Sequence, residues 1–108
     1  MKFLTIGTFK DVYYTLPQAE RQKIGVAQYE YNVNVKKKMG DKLGFYSVPG
    51  HDRMLVFITE VSSVEELGQF FAQAPVVAAG FFKYESYPLI EFDVKALEAM
   101  QASYKAAK

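Results

Sequence analysis

The sequence predicts one α+β domain in which helices cover a four-stranded antiparallel sheet. The chain has 108 residues, the usual size of one domain, and half of them are hydrophobic, enough for one core. Four segments have the patterning of strands, and two segments between them have apolar residues at helical spacing. We therefore expect a single domain over residues 1–108 with the order βαββαβ, followed by a terminal helix.

The predicted strands cover residues 2–9, 43–48, 54–61 and 81–87. The first has apolar or β-branched residues on both faces, which indicates a central place in the sheet. Pro49-Gly50-His51-Asp52 is a strong turn signal, so the second and third strands form an antiparallel hairpin. Pro88 cannot donate to a ladder, so it ends the pairing or lies on an edge strand.

The first helix is predicted from Pro17, which suits the first helical position, to Gly40, which ends it. Its buried stripe is expected at Ile24, Ala27, Tyr31, Val35 and Met39. Gly25 costs about 1 kcal/mol relative to Ala, and we expect it to allow close approach to the sheet.

The later helices have their own signals. Ser62 and Ser63 begin two overlapping Ser-x-x-Glu capping boxes, which predict the start of a second helix. Pro75 interrupts this helix, and Gly80 ends its short continuation. Asp93 caps a terminal helix over residues 93–108.

A βαββαβ chain of this kind adopts a ferredoxin-like fold with both long helices on one face of the sheet. The strands carry apolar residues on both faces, so the other face would be an exposed patch larger than monomers usually show. We therefore expect a homodimer in which two sheets pack face to face. The terminal helix would lie across the partner or seal the sheet edge.

Composition excludes several classes. A net charge of +1 does not attract nucleic acid over the whole surface, and residues 42–48, similar to an RNA-recognition motif, lie on the second strand instead of the third. The absence of cysteine excludes disulfides, a thiolate nucleophile and Cys-ligated metal. Without a metal-ligand spacing, a phosphate loop, a signal peptide or a long apolar span, we expect a soluble, cytoplasmic protein with no cofactor.

Three stretches of the chain are distinctive: residues 2–7 with the Leu16-Pro17 helix start, the Gly50-His51 turn leading to Glu60-Val61, and Glu85-Ser86-Tyr87-Pro88-Leu89. Together they resemble the muconolactone isomerase-like family of the dimeric α+β barrel superfamily, in which a strand ends in Glu-x-x-Pro-Leu. The resemblance extends through Leu89, and this chain adds a helix beyond it. It implies a homodimeric barrel, sometimes assembled further, and a small pocket. The family's reaction is a proton shift in an unsaturated lactone without metal or organic cofactor, and relatives include cofactor-free monooxygenases and cyclases.

His51 and Glu85 are the candidate catalytic residues. Histidine is the residue type that most readily exchanges protons near neutral pH, so His51, the only histidine, could shuttle a proton; the alternative is a solvated turn residue. Glu85 could act as a base whose basicity is raised by burial in a sheet cavity. The alternative is an ion pair with Lys83 on the same face of the strand.

The candidate substrate-binding residues are Tyr31, Tyr46, Tyr84 and Arg53. Phenols could hold an enolate-like oxygen, and Tyr31 and Tyr46 could meet in one pocket, although core packing is the alternative for each ring. Arg53 could hold a carboxylate or lactone oxygen; otherwise it is a solvated loop residue. The sequence thus allows two functions: a cofactor-independent isomerase or cyclase acting on an unsaturated or aromatic carbonyl compound, or a non-catalytic dimeric binding or accessory protein.

Overall fold

The computed structural model describes residues 1–107. The elements in chain order are β1 Lys2–Phe9, α1 Asp11–Tyr14, α2 Gln18–Met39, a 3₁₀ turn Gly40–Lys42, β2 Leu43–Val48, β3 His51–Glu60, α3 Val64–Ala72, α4 Pro75–Ala78, β4 Phe82–Leu89 and α5 Val94–Ala106. The strands form one antiparallel sheet in the order β2-β3-β1-β4. The predicted α+β, ferredoxin-like fold is confirmed, and β1 is central as expected.

The bounds of two strands, β3 and β4, differ from the prediction. β3 begins at His51, so the turn is confined to Pro49 and Gly50, whose φ of +84° requires a residue without a side chain. β4 continues to Leu89 and includes Pro88, which lies opposite Phe3. Proline is tolerated there because β4 is an edge strand with only one neighbour.

The core lies between the sheet and the helices α2, α3 and α4. Its centre is Phe71, whose ring stacks on Tyr84 at 4.5 Å between centroids and meets the edge of Phe57 at 5.3 Å. The fully buried hydroxyls of Thr5 and Thr59 lie on the same face of the sheet. The ring contacts of Phe71 stabilise the fold by more than the apolar area that they bury.

Helix α2 turns a partly polar stripe toward the sheet. Its partly buried positions are Arg21, Ile24, Gly25, Gln28, Tyr31, Asn32, Val35 and Met39, whereas Ala27 is exposed. The expectation that Gly25 allows close approach is wrong, because a Cβ added there would have no atom within 4 Å. The helix stands away from the sheet at this point and leaves a cleft beneath it.

Helix α3 begins at one of the two predicted capping boxes. The Ser63 hydroxyl accepts the Glu66 N–H at 3.1 Å, and the Glu66 carboxylate accepts the Ser62 N–H at 2.9 Å. Hydrogen bonds from the Ser62 hydroxyl and N–H lower the pKa of Glu66 below its ordinary value.

The other face of the sheet, which we name the open face, has no cover from residues 1–107. It carries the apolar side chains Leu4, Ile6, Tyr46, Met54, Val56, Ile58, Tyr87 and Leu89. Helix α5, capped by Asp93 through the N–H of Ala96 at 2.8 Å, does not cover it. The final residue of the predicted terminal helix, Lys108, lies outside the described residues.

Candidate functional site

A cleft runs between α2 and the helix-facing side of the sheet. An inner cavity of about 20 Å³, room for one water-sized molecule, adjoins an outer space of about 220 Å³. The two share the lining residues Phe9, Gln28, Asn32, Leu55 and Val76. Most of the wall is apolar or aromatic, as is usual for small-molecule sites.

Two amide side chains of α2 bring hydrogen-bonding groups to this wall. The Gln28 Nε2 donates to Asn32 Oδ1 at 2.8 Å, and Gln28 Oε1 accepts the Val76 N–H at 3.0 Å. These bonds fix Gln28 between α2 and α4 and leave the N–H groups of Asn32 as donors. Asp52, near the start of β3, adds a carboxylate to the outer space.

Charged and aromatic side chains cluster beside the outer space. Arg53 donates to Asp11 at 2.5 Å, and its guanidinium lies 4.0 Å from the centre of the Tyr14 ring. Burial raises the pKa of Tyr14, and the positive charges of Arg53 and Arg21 partly offset this. Arg21 also has its Nε buried without a hydrogen-bond acceptor among residues 1–107.

Tyr31 and Tyr84 lie on the helix-facing side. The ring of Tyr31 lines the inner cavity, and its hydroxyl donates to the Phe70 carbonyl at 2.5 Å, which ties α2 to α3. Burial raises the pKa of Tyr31, so this phenol stays neutral and remains a donor. Tyr84 packs its ring on Phe71 in the core.

Tyr46 and Glu85 lie on the opposite side of the sheet. The expectation that Tyr31 and Tyr46 share a pocket is wrong, because successive residues of a strand alternate faces and Phe45 takes the inward position on β2. Glu85, opposite Ile6, lines a 270 Å³ hollow on the open face. Its carboxylate accepts the hydroxyl proton of Tyr87 and makes no ion pair with Lys83 within the described part of the chain.

His51 is exposed and pairs with Val48 where β3 begins. Its neighbour Asp52 lines the outer space of the cleft, but His51 itself does not. Glu85 is on β4, which β1 separates from β3. The single chain therefore does not bring the two predicted catalytic residues together, and only Tyr31 and Arg53 of the predicted binding residues lie at or beside the cleft.

Sequence reasoning missed Gln28, Asn32, Asp52 and Arg21. Three of them are polar members of the inward stripe of α2, where the apolar spacing alone was read. The available signal was that Gln28 and Asn32 are four residues apart, and so share a face, in phase with Ile24 and Tyr31. Polar side chains repeated on the buried face of a helix indicate a site beneath it.

Comparison with known proteins supports the architecture. No protein-family model matches the chain, and no curated protein matches it. Among solved structures, it is similar to 5-chloro-2-hydroxyhydroquinone dehydrochlorinase (TftG) from Burkholderia phenoliruptrix AC1100, in complex with 2,5-dihydroxybenzoquinone, with a TM-score of 0.60 and 17% identity over 84% of this chain and 95% of that chain.

Two further findings concern the described residues alone. Within residues 1–107, no helix has the length and apolar character needed to cross a membrane, and no three His, Asp or Glu side chains come together as a metal site would require. At 17% identity the structural likeness establishes a shared fold, and the fold is the conclusion that it carries.

Proposed function

We propose that this chain is a small enzyme of the muconolactone isomerase-like kind that moves a proton on an unsaturated or aromatic carbonyl compound, without metal or organic cofactor. The observation that carries the proposal is the α2 cleft, where aromatic walls meet the amides of Gln28 and Asn32 and the carboxylate of Asp52. The similarity to a dehydrochlorinase bound to a flat dihydroxyquinone supports this ligand class.

The proposed roles follow from the chemistry of each group. A flat ring lies between α2 and Phe9, Phe45 and Leu55, and a ring oxygen accepts an N–H from Asn32. Negative charge builds on that oxygen when a base removes a proton from carbon, so a positioned donor lowers the barrier. Asp52 takes the proton and returns it to another atom of the ligand, and His51 exchanges it with solvent.

Arg53 would hold an anionic substituent of the same ligand. Its bond to Asp11 is a surface ion pair, since the Arg53 side chain is 47% exposed and that of Asp11 95%. Such a pair contributes little to stability, and an incoming carboxylate or phenolate can replace it.

We also propose a homodimer in which the open faces of two sheets cover each other. The apolar side chains of that face support it, since Ile6 and Tyr87 remain 36% and 46% exposed in the single chain. Glu85 would then lie between the two sheets, remote from the α2 cleft. Light scattering at micromolar concentration tests this proposal, and a monomer of 12.3 kDa would contradict it.

Two glycines provide a matched test of the ligand site. Gly25 and Gly68 are both inside helices, and a Cβ at either meets no atom within 4 Å, but only Gly25 lines the cleft. We expect Gly25→Leu to weaken binding of 2,5-dihydroxybenzoquinone at least about tenfold, followed by its visible absorbance, because a cleft of this size cannot hold both groups. Gly68→Leu should leave binding unchanged. Equal affinities of the two variants would show that the cleft is not the site.

The proton-transfer role needs a separate test. Once co-purified metabolites, identified by mass spectrometry, have named a substrate, Asp52→Asn and His51→Ala are compared with Glu85→Gln. We expect the first two to lower turnover about 10²-fold or more while the dimer persists, with Glu85→Gln near the wild type. Binding without turnover in the unmodified protein would instead favour the binding-protein alternative, and loss in Glu85→Gln alone would place the chemistry between the sheets.

A further inference from the structure

Helix α5, which we name the arm, packs on almost nothing within the described part of its own chain. Every residue of the helix is exposed except Ala96, which is partly covered. The radius of gyration is 17.9 Å, against about 13 Å for a compact chain of this length, and the longest dimension is 62 Å. A 13-residue helix is marginal in isolation, so α5 needs a packing surface.

The arm carries an apolar stripe. Leu97, Met100 and Tyr104 follow the spacing i, i+3, i+7 and are 51%, 42% and 81% exposed. Two apolar residues between β4 and α5, Ile90 and Phe92, are also 81% and 55% exposed. These exposures are typical of surfaces that another chain covers.

The outer face of α2 carries a stripe of the same spacing. Val26, Tyr29 and Val33 also follow i, i+3, i+7 and are 64%, 71% and 49% exposed. Tyr29 and Val33 border a broad groove of about 500 Å³ between α2 and β2. We name these three residues the α2 stripe.

The arm does not lie along the α2 stripe of its own chain. Residues 90–93 join it to β4, at the edge of the sheet opposite β2 and the groove. The large apolar residues of the arm and of the α2 stripe are all exposed, so neither surface covers the other within the described residues. A second copy of the chain presents both surfaces at once.

Charge favours one direction for the arm. The lysines 36–38 follow the α2 stripe directly. In the antiparallel direction Leu97 meets Val33, so the end of the arm with the acidic residues Glu91 and Asp93 lies toward this basic run, with Lys95 as the cation beside them. In the parallel direction the end with Lys105, which has no acidic residue between Tyr104 and Ala107, would lie toward it. Opposite charges at such flanking positions set orientation in helix pairs.

From these observations we propose that α5 of one copy packs antiparallel on the α2 stripe of a second copy, with the exchange reciprocal. Both helices then bury apolar residues that are otherwise exposed, and the twofold exchange closes into a dimer. The proposal does not depend on the enzymatic activity, nor on the covering of the open face by a second sheet.

Disulfide trapping tests this contact cleanly, because the natural chain has no cysteine. Met100 and Tyr29 are the central residues of the two stripes, so they meet in either direction of the arm. Chains with Tyr29→Cys are mixed with differently tagged chains carrying Met100→Cys and oxidised mildly. Mixtures with Ala102→Cys, on the other side of α5, or with Ile6→Cys, on the open face, are the controls.

We expect the Tyr29–Met100 pair to give mixed-tag covalent dimers at least about fivefold faster than Tyr29 with Ala102 or Ile6 with Met100, because a disulfide forms only when the Cα atoms approach closely. Both Tyr29 and Met100 are exposed, and circular dichroism of the reduced proteins checks that the fold is retained. Equal rates for Met100 and Ala102, no mixed-tag dimer, or preferential linking of Met100 to Ile6 would each overturn the proposal. The last result would place the arm on the open face.

Discussion

Gly7 and Phe82 form a contact whose energy can be worked out from the structure. A Cβ added to Gly7 would lie 1.9 Å from Cζ and 2.2 Å from Cε2 of Phe82, well inside the 3.4 Å at which ordinary contact begins. The ring is 5% exposed and lies at the base of the α2 cleft, so it cannot move aside without disturbing the core. We expect Gly7→Ala to lower the free energy of unfolding by about 1–3 kcal/mol, the usual cost of overpacking.

A double-mutant cycle isolates this contact. Phe82→Ala alone should cost about 3–5 kcal/mol through the lost ring and the cavity. In that background Gly7→Ala should be neutral or slightly stabilising, because the φ of Gly7 is not positive and alanine restricts the unfolded chain. The coupling energy between the two positions should therefore be about 1–3 kcal/mol.

The assay is urea unfolding followed by circular dichroism at one fixed protomer concentration, since an oligomer unfolds in a concentration-dependent way. The variants should share the slope of the wild type, so that changes in midpoint report stability. The reasoning would be refuted if Gly7→Ala cost as much in the Phe82→Ala background as in the natural chain.

Three further predictions concern stability. Glu66 has a folded pKa below its ordinary value of 4.5, so its ionised carboxylate stabilises the fold above that pH and the contribution is lost as pH falls through the folded pKa. The difference in urea midpoint between the wild type and Glu66→Gln should thus be present at neutral pH and close in acid; a constant difference would contradict the assignment. Tyr31→Phe should cost about 1–3 kcal/mol by leaving the Phe70 carbonyl without its donor, and unchanged thermal unfolding would show that this bond is not needed. Ser63→Ala should cost about 1 kcal/mol through the lost cap of α3, whereas Ser62→Ala, which retains that cap, should cost less in the same experiment.

The order of the elements could be predicted because each depends on neighbouring residues. Alternation identified the strands, Asp93 and Ser63 identified helix starts, and Pro49-Gly50 identified the hairpin. The alternation of side chains between the two faces of a strand is also a local property. The prediction that Lys83, Glu85 and Tyr87 share one side of β4 therefore agrees with the strand register. An uncovered apolar face also followed, since βαββαβ connections place the long helices on one side.

The candidate site could not be predicted in the same way. Aromatic residues occupy both faces of the strands, so the sequence does not reveal which face meets the helices. The expectation that Tyr31 and Tyr46 could meet in one pocket fails for this reason, because the sheet separates them. The cleft brings Gln28 and Asn32 of α2 together with Asp52 of β3, which is twenty or more positions away in the sequence. Whether these residues share a cleft depends on how far above the sheet α2 crosses it.

The distance between α2 and the sheet depends on the volumes of all the side chains packed between them. It cannot be predicted from a pattern of neighbouring residues, because those side chains come from distant parts of the sequence. The sequence by itself determined which segments form strands and helices, and the periodicity of each, because those properties arise from the backbone and near neighbours. Only the tertiary structure decided which periodic faces meet, where a space remains between them, and that α5 finds no packing surface within the described part of its own chain.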